Sequence, residues 1–123
     1  MKLFMMSALI LCVGMAVADG QKSPPIACNM KAISAAQRPH YDDLMKKLRG
    51  SIRGRTELAD GFAYGLDPKG ITLQELGDWM TMERLCCPFL TFNLEVKNDG
   101  ATQLSMRGPE GTKLVLKEDF SAK

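Results

Sequence analysis

The sequence predicts an α+β domain: a four-stranded antiparallel sheet built from two helix-plus-hairpin units, helices on one face, and a short helix at the C-terminus. Three observations carry that expectation. Two stretches with apolar residues at helical spacing are each followed by two stretches that alternate with period two. Each alternating pair is joined by an Asp-Gly step, Asp60-Gly61 and Asp99-Gly100. Helix starts and turns recur at nearly the same interval, so one unit follows the other along the chain.

In the first unit, Ser34 with Gln37 three residues on has the form of a capping box. Pro39 sets the main helix over about 39–49, where Tyr41, Leu44, Met45 and Leu48 share a stripe and Gly50 is the stop. Beyond it, Ile52, Thr56 and Leu58 alternate with Arg53, Arg55 and Glu57, and Phe62, Tyr64 and Leu66 form the apolar side of the return strand. In the second unit, Thr72 with Glu75 is another capping box, opening a helix that reaches about Cys86. Pro88 ends it, because the residue before a proline is pushed out of the helical region. Leu90, Phe92, Leu94 and Val96 alternate with polar residues, and Leu104 and Met106 mark the fourth strand. Gly108-Pro109-Glu110 places proline near the first position of the final helix. A polar face on each strand is what a half-solvated antiparallel sheet requires.

The chain has 123 residues, 46% hydrophobic and 24% charged, the composition of one small globular domain. Its beginning reads differently. A charged Met1-Lys2, an apolar run from Leu3 to Val17 and the A-x-A site Ala16-Val17-Ala18 predict a Sec-type signal peptide over 1–18. A polar, proline-containing flexible leader over 19–27 and a single domain over 28–120 follow. A retained anchor would need a longer apolar run, and Leu11 before Cys12 does not fit a lipoprotein site. The expected location is therefore the periplasm or the exterior. Lys2 leaves with the signal, so 16 less one basic residues face 14 acidic ones, a net charge of +1. So small a charge excludes bulk electrostatic attraction to nucleic acid, and no stable membrane insertion is expected after cleavage. No protein partner is specified.

Cysteine usage is the most informative feature. Cys12 departs with the signal and leaves Cys28, Cys86 and Cys87, an odd number in an exported chain. At least one thiol must be free, paired between chains, or bound to something. A bridge between adjacent Cys86 and Cys87 would close a very small ring. A bridge from Cys28 to either is sterically easier, and three close thiols would instead make a soft-metal site. On a helical projection Leu73, Leu76, Met80 and Cys87 share one stripe, with Trp79 and Cys86 beside it. Glu83 lies on the same arc, one turn below both thiols. The negative end of the helix dipole raises a thiol pKa, which disfavours a nucleophilic or redox cysteine and favours a bound cation. Cu(I), Hg(II), trivalent arsenic and Zn(II) are the candidates, with Cys86, Cys87, Cys28 and Glu83 as ligands.

Ala27-Cys28-Asn29, the run Glu83-Arg84-Leu85-Cys86-Cys87-Pro88-Phe89-Leu90-Thr91-Phe92, and Gly108-Pro109-Glu110-Gly111 together resemble a family of small bacterial proteins. Its mark is an E-R-x-C-C-P-F signature with an upstream cysteine, and the likeness spans about 27–118. The resemblance implies that Cys28, Cys86 and Cys87 belong together as a set, and leaves metal binding, bridging and packing open.

Three readings follow. The leading one is a non-enzymatic, exported domain that binds a soft metal or metalloid ion through these cysteines. An enzymatic rival is a thiol oxidoreductase using the same residues. The plainest is an interaction module whose cysteines are core, since free cysteine is among the most buried residue types. His40 is the single histidine and is expected on a solvated face. Lys46, Lys47, Arg49, Arg53 and Arg55 form a cationic run that reads as a solvated face too. No nucleotide-binding or catalytic-serine motif is present.

Overall fold

The computed structural model describes residues 26–121. The expected signal peptide and nearly all of the leader lie outside them. The fold class is the one the sequence predicts. A short 3-10 turn (η1, Met30–Ala32) precedes α1 (Arg38–Ser51), β1 (Ile52–Leu58), β2 (Gly61–Leu66), α2 (Leu73–Cys86), β3 (Thr91–Val96), β4 (Thr102–Arg107) and α3 (Thr112–Asp119). The strands form one antiparallel sheet in the order β1-β2-β4-β3. Each hairpin thus contributes its second strand to the centre. α1 and α2 are both 14 residues long. α1 runs straight into β1, whereas Cys87 to Leu90 separate α2 from β3. The second unit therefore carries a short insertion, and the cysteine pair sits at its start.

Phe62, Tyr64 and Leu66 on β2 lie opposite Met106, Leu104 and Thr102 on β4. Directly opposed residues share a face, and this face is closed by Leu44 and Leu48 of α1, Leu76 and Trp79 of α2, and Leu116 of α3. Trp79 meets Phe92 and Phe120 edge-on. The opposite face presents Thr56, Asn93, Glu95 and Gln103 to water.

Several local expectations change. Thr72 and Glu75 form the reciprocal capping box. Ser34 and Gln37 do not: Ser34 donates to the Gln37 side chain, and α1 starts at Arg38 with proline in its first turn. α1 also passes through Gly50 to Ser51, whose hydroxyl donates to the Lys47 carbonyl. The first hairpin turns on Ala59-Asp60, and Gly61 is already strand. Among the described residues positive φ occurs at Gly100 and Gly111 alone. Gly61 is required instead by close approach, because a Cβ there would lie 1.9 Å from the Met106 carbonyl oxygen. At Gly100 (φ 89°) the conformational argument holds: the Gly100 N–H donates to Lys97 and the Lys97 N–H to Ala101.

A register shift between Ile52 and Gly54 overturns the expected alternation of β1. Arg55 lies opposite Tyr64 and Glu57 opposite Phe62, on the helix side. The bulge inserts one residue and flips every later side chain. On this edge strand both side chains stay exposed, and long charged chains cover apolar surface while keeping their ends in water. The Arg55 guanidinium lies 4.7 Å from the Phe62 ring centroid, and Glu57 pairs with Lys113 of α3 at 3.0 Å. Pro109 precedes α3 rather than opening it; Gly111 is the N-cap, and the Thr112 hydroxyl donates back to the Pro109 carbonyl.

Candidate functional site

The buried stripe of α2 is Leu76, Trp79, Met82, Glu83 and Cys86. Leu73, expected inside, is 51% exposed, and Met80 lies at the margin. The helix is rolled so that Glu83 faces the core, and this carboxyl is wholly buried. Its satisfaction comes from a distant element. The Tyr41 hydroxyl, from the apolar stripe of α1, donates to Glu83 Oε2 at 2.6 Å.

Cys87 is the C-cap of α2, and its N–H closes the last turn on the Glu83 carbonyl. Its backbone leaves the helix at φ −121°, ψ 69° because Pro88 follows. That departure lets adjacent side chains converge. Cys86 Sγ and Cys87 Sγ are 3.6 Å apart, and Glu83 Oε2 and Oε1 lie 3.6 Å and 3.2 Å from them respectively. The third cysteine reaches the same spot from the N-terminal segment. Asn29 donates its N–H to the Cys86 carbonyl at 2.7 Å, which lays residues 28–30 against the end of α2. Cys28 and Cys87 form a disulfide with Cα atoms 4.5 Å apart. Among the described residues Cys86 is the one free thiol, and it is buried.

The electrostatics are those of a dry pocket. Burial pushes the Glu83 carboxyl above the ordinary carboxylate range, opposed by the Tyr41 hydrogen bond. Cys87 Sγ, as a disulfide atom, has no proton to donate, so its 3.2 Å approach to Glu83 Oε1 is a close contact and not a bond donated by sulfur. Burial, reinforced by the neighbouring Glu83 charge, pushes the Cys86 thiol up to about 12. The Tyr41 hydroxyl is pushed up as well, by burial first and Glu83 second. Asp119 of α3, itself raised by burial, has a carboxylate oxygen 4.0 Å from Cys28 Sγ. Cys28 is half-buried at the edge of a cavity of about 430 Å³ that Tyr41, Arg49 and Asp119 also line.

The predicted set therefore comes together. Cys28 Sγ, Cys87 Sγ and one Glu83 oxygen all lie within 4.8 Å of one another, a group able to hold a metal ion once the disulfide is open. Cys86 adjoins it. In the disulfide state two of the three sulfurs are committed to each other, so bridging and ion binding are alternative uses of the same atoms. Of the remaining residues weighed from sequence, Lys46 and Arg49 border the cavity at Cys28 and the others lie elsewhere. His40 is exposed and faces Asp78 at 3.8 Å. Of the cationic run, Lys47 pairs with Glu75, Arg53 with Asp67, and Arg49 donates to the Asp119 carbonyl. Tyr41 and Asp119 were not legible as site residues: they are ordinary members of their helices, and only packing brings them near the cysteines. Among the described residues no helix is long and apolar enough to cross a membrane. Comparison of the chain with family models, with curated proteins and with solved structures finds no match, so the geometry of these side chains carries the functional reading.

Proposed function

We propose that this is an exported domain that, in its reduced form, holds one thiophilic ion through Cys28, Cys87 and Glu83, with Cys86 as the adjoining thiol. One observation carries the reading: Cys28 Sγ of the N-terminal segment lies within 4.8 Å of a Glu83 oxygen and Cys87 Sγ at the buried end of α2. Sulfur donors select Cu(I), Hg(II), trivalent arsenic or Zn(II) over hard cations. The C-terminal dipole of α2 and the Glu83 charge both favour a cation there. Loading requires a two-electron reductant such as a dithiol, which with two protons converts the disulfide to two thiols; ion binding then releases thiol protons. Export rests on the signal pattern at 1–18, and the E-R-x-C-C-P-F resemblance agrees with a shared role for the three cysteines.

The test is titration of phosphine-reduced protein, under exclusion of oxygen, with each ion in turn. One equivalent should bind with proton release. Cys87→Ser should abolish binding, Cys28→Ser and Cys86→Ser should weaken it, and Glu83→Gln should act more mildly. Binding that survives the Cys28→Ser/Cys87→Ser double variant overturns the proposal. Intact mass of extracytoplasmic protein should begin at Asp19; a mass retaining 1–18 refutes export with cleavage. The second reading, a structural staple, is favoured by the disulfide itself, which ties the N-terminal segment to the end of α2. Under it, reduction costs stability and no ion binds.

A further inference from the structure

The third cysteine is unexplained by a staple, which needs two. Cys86 is wholly buried, yet its sulfur lies 3.6 Å from the disulfide sulfur of Cys87, and Glu83 Oε2 is 3.6 Å from it as well. A thiol, a disulfide and a carboxylate in one dry pocket are the parts of a thiol–disulfide exchange. The other end of the bridge, Cys28, is half-buried and borders a surface cavity. The two ends of the disulfide thus differ: one is inside, within reach of a thiol, and the other is at the surface.

We propose that Cys86 exchanges with the Cys28–Cys87 disulfide, so that the bridge moves to Cys86–Cys87 and Cys28 is released as a surface thiol open to modification. In the step, the proton of Cys86 Sγ passes to the Glu83 carboxylate oxygen 3.6 Å away. The Cys86 sulfur attacks Cys87 Sγ, a Cys86–Cys87 bond forms, and the Cys87–Cys28 bond breaks. Cys28 leaves as a thiolate and is protonated by solvent at the cavity edge, while Glu83 returns its proton to solvent. The count of thiols and of disulfides is unchanged, so no external oxidant or reductant is consumed. Adjacent cysteines close a ring whose Cα separation falls below the usual disulfide range. The exchanged form is therefore the minor one, and Cys28 is a latent thiol rather than a standing one. Its chemical counterpart is a small thiol or an electrophile that enters from the surface cavity, where the buried Cys86 cannot be met directly.

The exchange uses the cysteines of the proposed ion site but needs no ion. It is tested on oxidised protein in the presence of a chelator, whereas ion binding is tested on reduced protein, so the two can fail separately. Native oxidised protein is incubated with iodoacetamide, digested after Arg84 and Lys97, and mapped by mass. The expected product carries the label on Cys28 and has a peptide of residues 85–97 two hydrogens lighter than the dithiol. In Cys86→Ala the labelling of Cys28 should slow by about an order of magnitude or more, because no internal thiol remains to release it. A second variant stands independently of how Cys86→Ala folds. Cys28→Ser, mildly oxidised, should become a monomer whose 85–97 peptide has lost two hydrogens. Label found on Cys86 with Cys28–Cys87 intact overturns the proposal, as does a Cys28→Ser protein that keeps two alkylatable thiols.

Discussion

Tyr41→Phe removes one oxygen from the protein and tests the logic of the whole pocket. Tyr41 is 5% exposed and Glu83 wholly buried, and the hydroxyl lost is the donor that reaches Glu83 Oε2 at 2.6 Å. A hydrogen bond to a charged group contributes about 1.5–3 kcal/mol, and a buried acceptor left unsatisfied costs on the same scale. No ring volume is lost, so a cavity term is small. The expected cost at neutral pH is therefore about 2–3 kcal/mol. For a domain of this size each kcal/mol moves Tm by about 4–8 °C, so the melt should fall by about 10 °C or more. The cost should shrink toward about 1 kcal/mol on acidification, because a protonated Glu83 makes only a neutral bond with Tyr41. Urea unfolding of wild type and variant at neutral and mildly acidic pH measures both. The Glu83→Gln background closes a double-mutant cycle. A Tyr41→Phe protein within about 0.5 kcal/mol of wild type at neutral pH refutes the reasoning, and so does an equally large cost in the Glu83→Gln background.

Further outcomes follow from the same contacts. The Glu83 pKa is raised in the folded state above its ordinary 4.5, so folded protein binds more protons than unfolded in the window above that value. Stability should fall as pH rises through the window, and denaturation curves of Glu83→Gln should lack this dependence; a slope of equal size in the variant assigns it to another group. Gly61→Ala should destabilise more than Gly100→Ala, because its Cβ would strike the backbone carbonyl of Met106 while Gly100 has open space and pays for φ alone. Thermal melts should show about 1–3 kcal/mol at Gly100 and more at Gly61, and the reverse order would mean that β2 and β4 are not so closely paired. Reduction of the Cys28–Cys87 bridge, which spans 59 residues, should lower stability by about 4 kcal/mol on chain-entropy grounds. Equal unfolding midpoints for oxidised and reduced protein would show that the N-terminal segment is held without it.

The architecture was legible because its signals are local. The stripe Tyr41, Leu44, Met45 and Leu48 is a helix face whatever the rest of the chain does, and it is buried as read. The capping box at Thr72 and Glu75 and the proline after Cys87 bound α2 by interactions within a few residues. Where neighbours compete, local reading failed. The alternation of β1 breaks at a bulge set by pairing with β2, and Gly61 serves a close approach to β4 rather than a turn. Leu73 and Met80 looked as apolar as Leu76 and Trp79, and the roll of α2 was decided by what lies beneath it.

The candidate site divides in the same way. Residue order alone placed two cysteines side by side at a helix end, with Glu83 one helical turn below them. Helical geometry makes that last point unavoidable, and the carboxylate is 3.2–3.6 Å from both sulfurs. Which cysteine meets Cys28 was not determined, because the answer depends on how Cys87 leaves the helix and on the Asn29 N–H bonding to the Cys86 carbonyl. Nor could any spacing show that Tyr41 would satisfy Glu83 across 42 residues of chain. Burial of a carboxyl is tolerated only where a donor from another element arrives to meet it, and a donor's arrival is a property of packing.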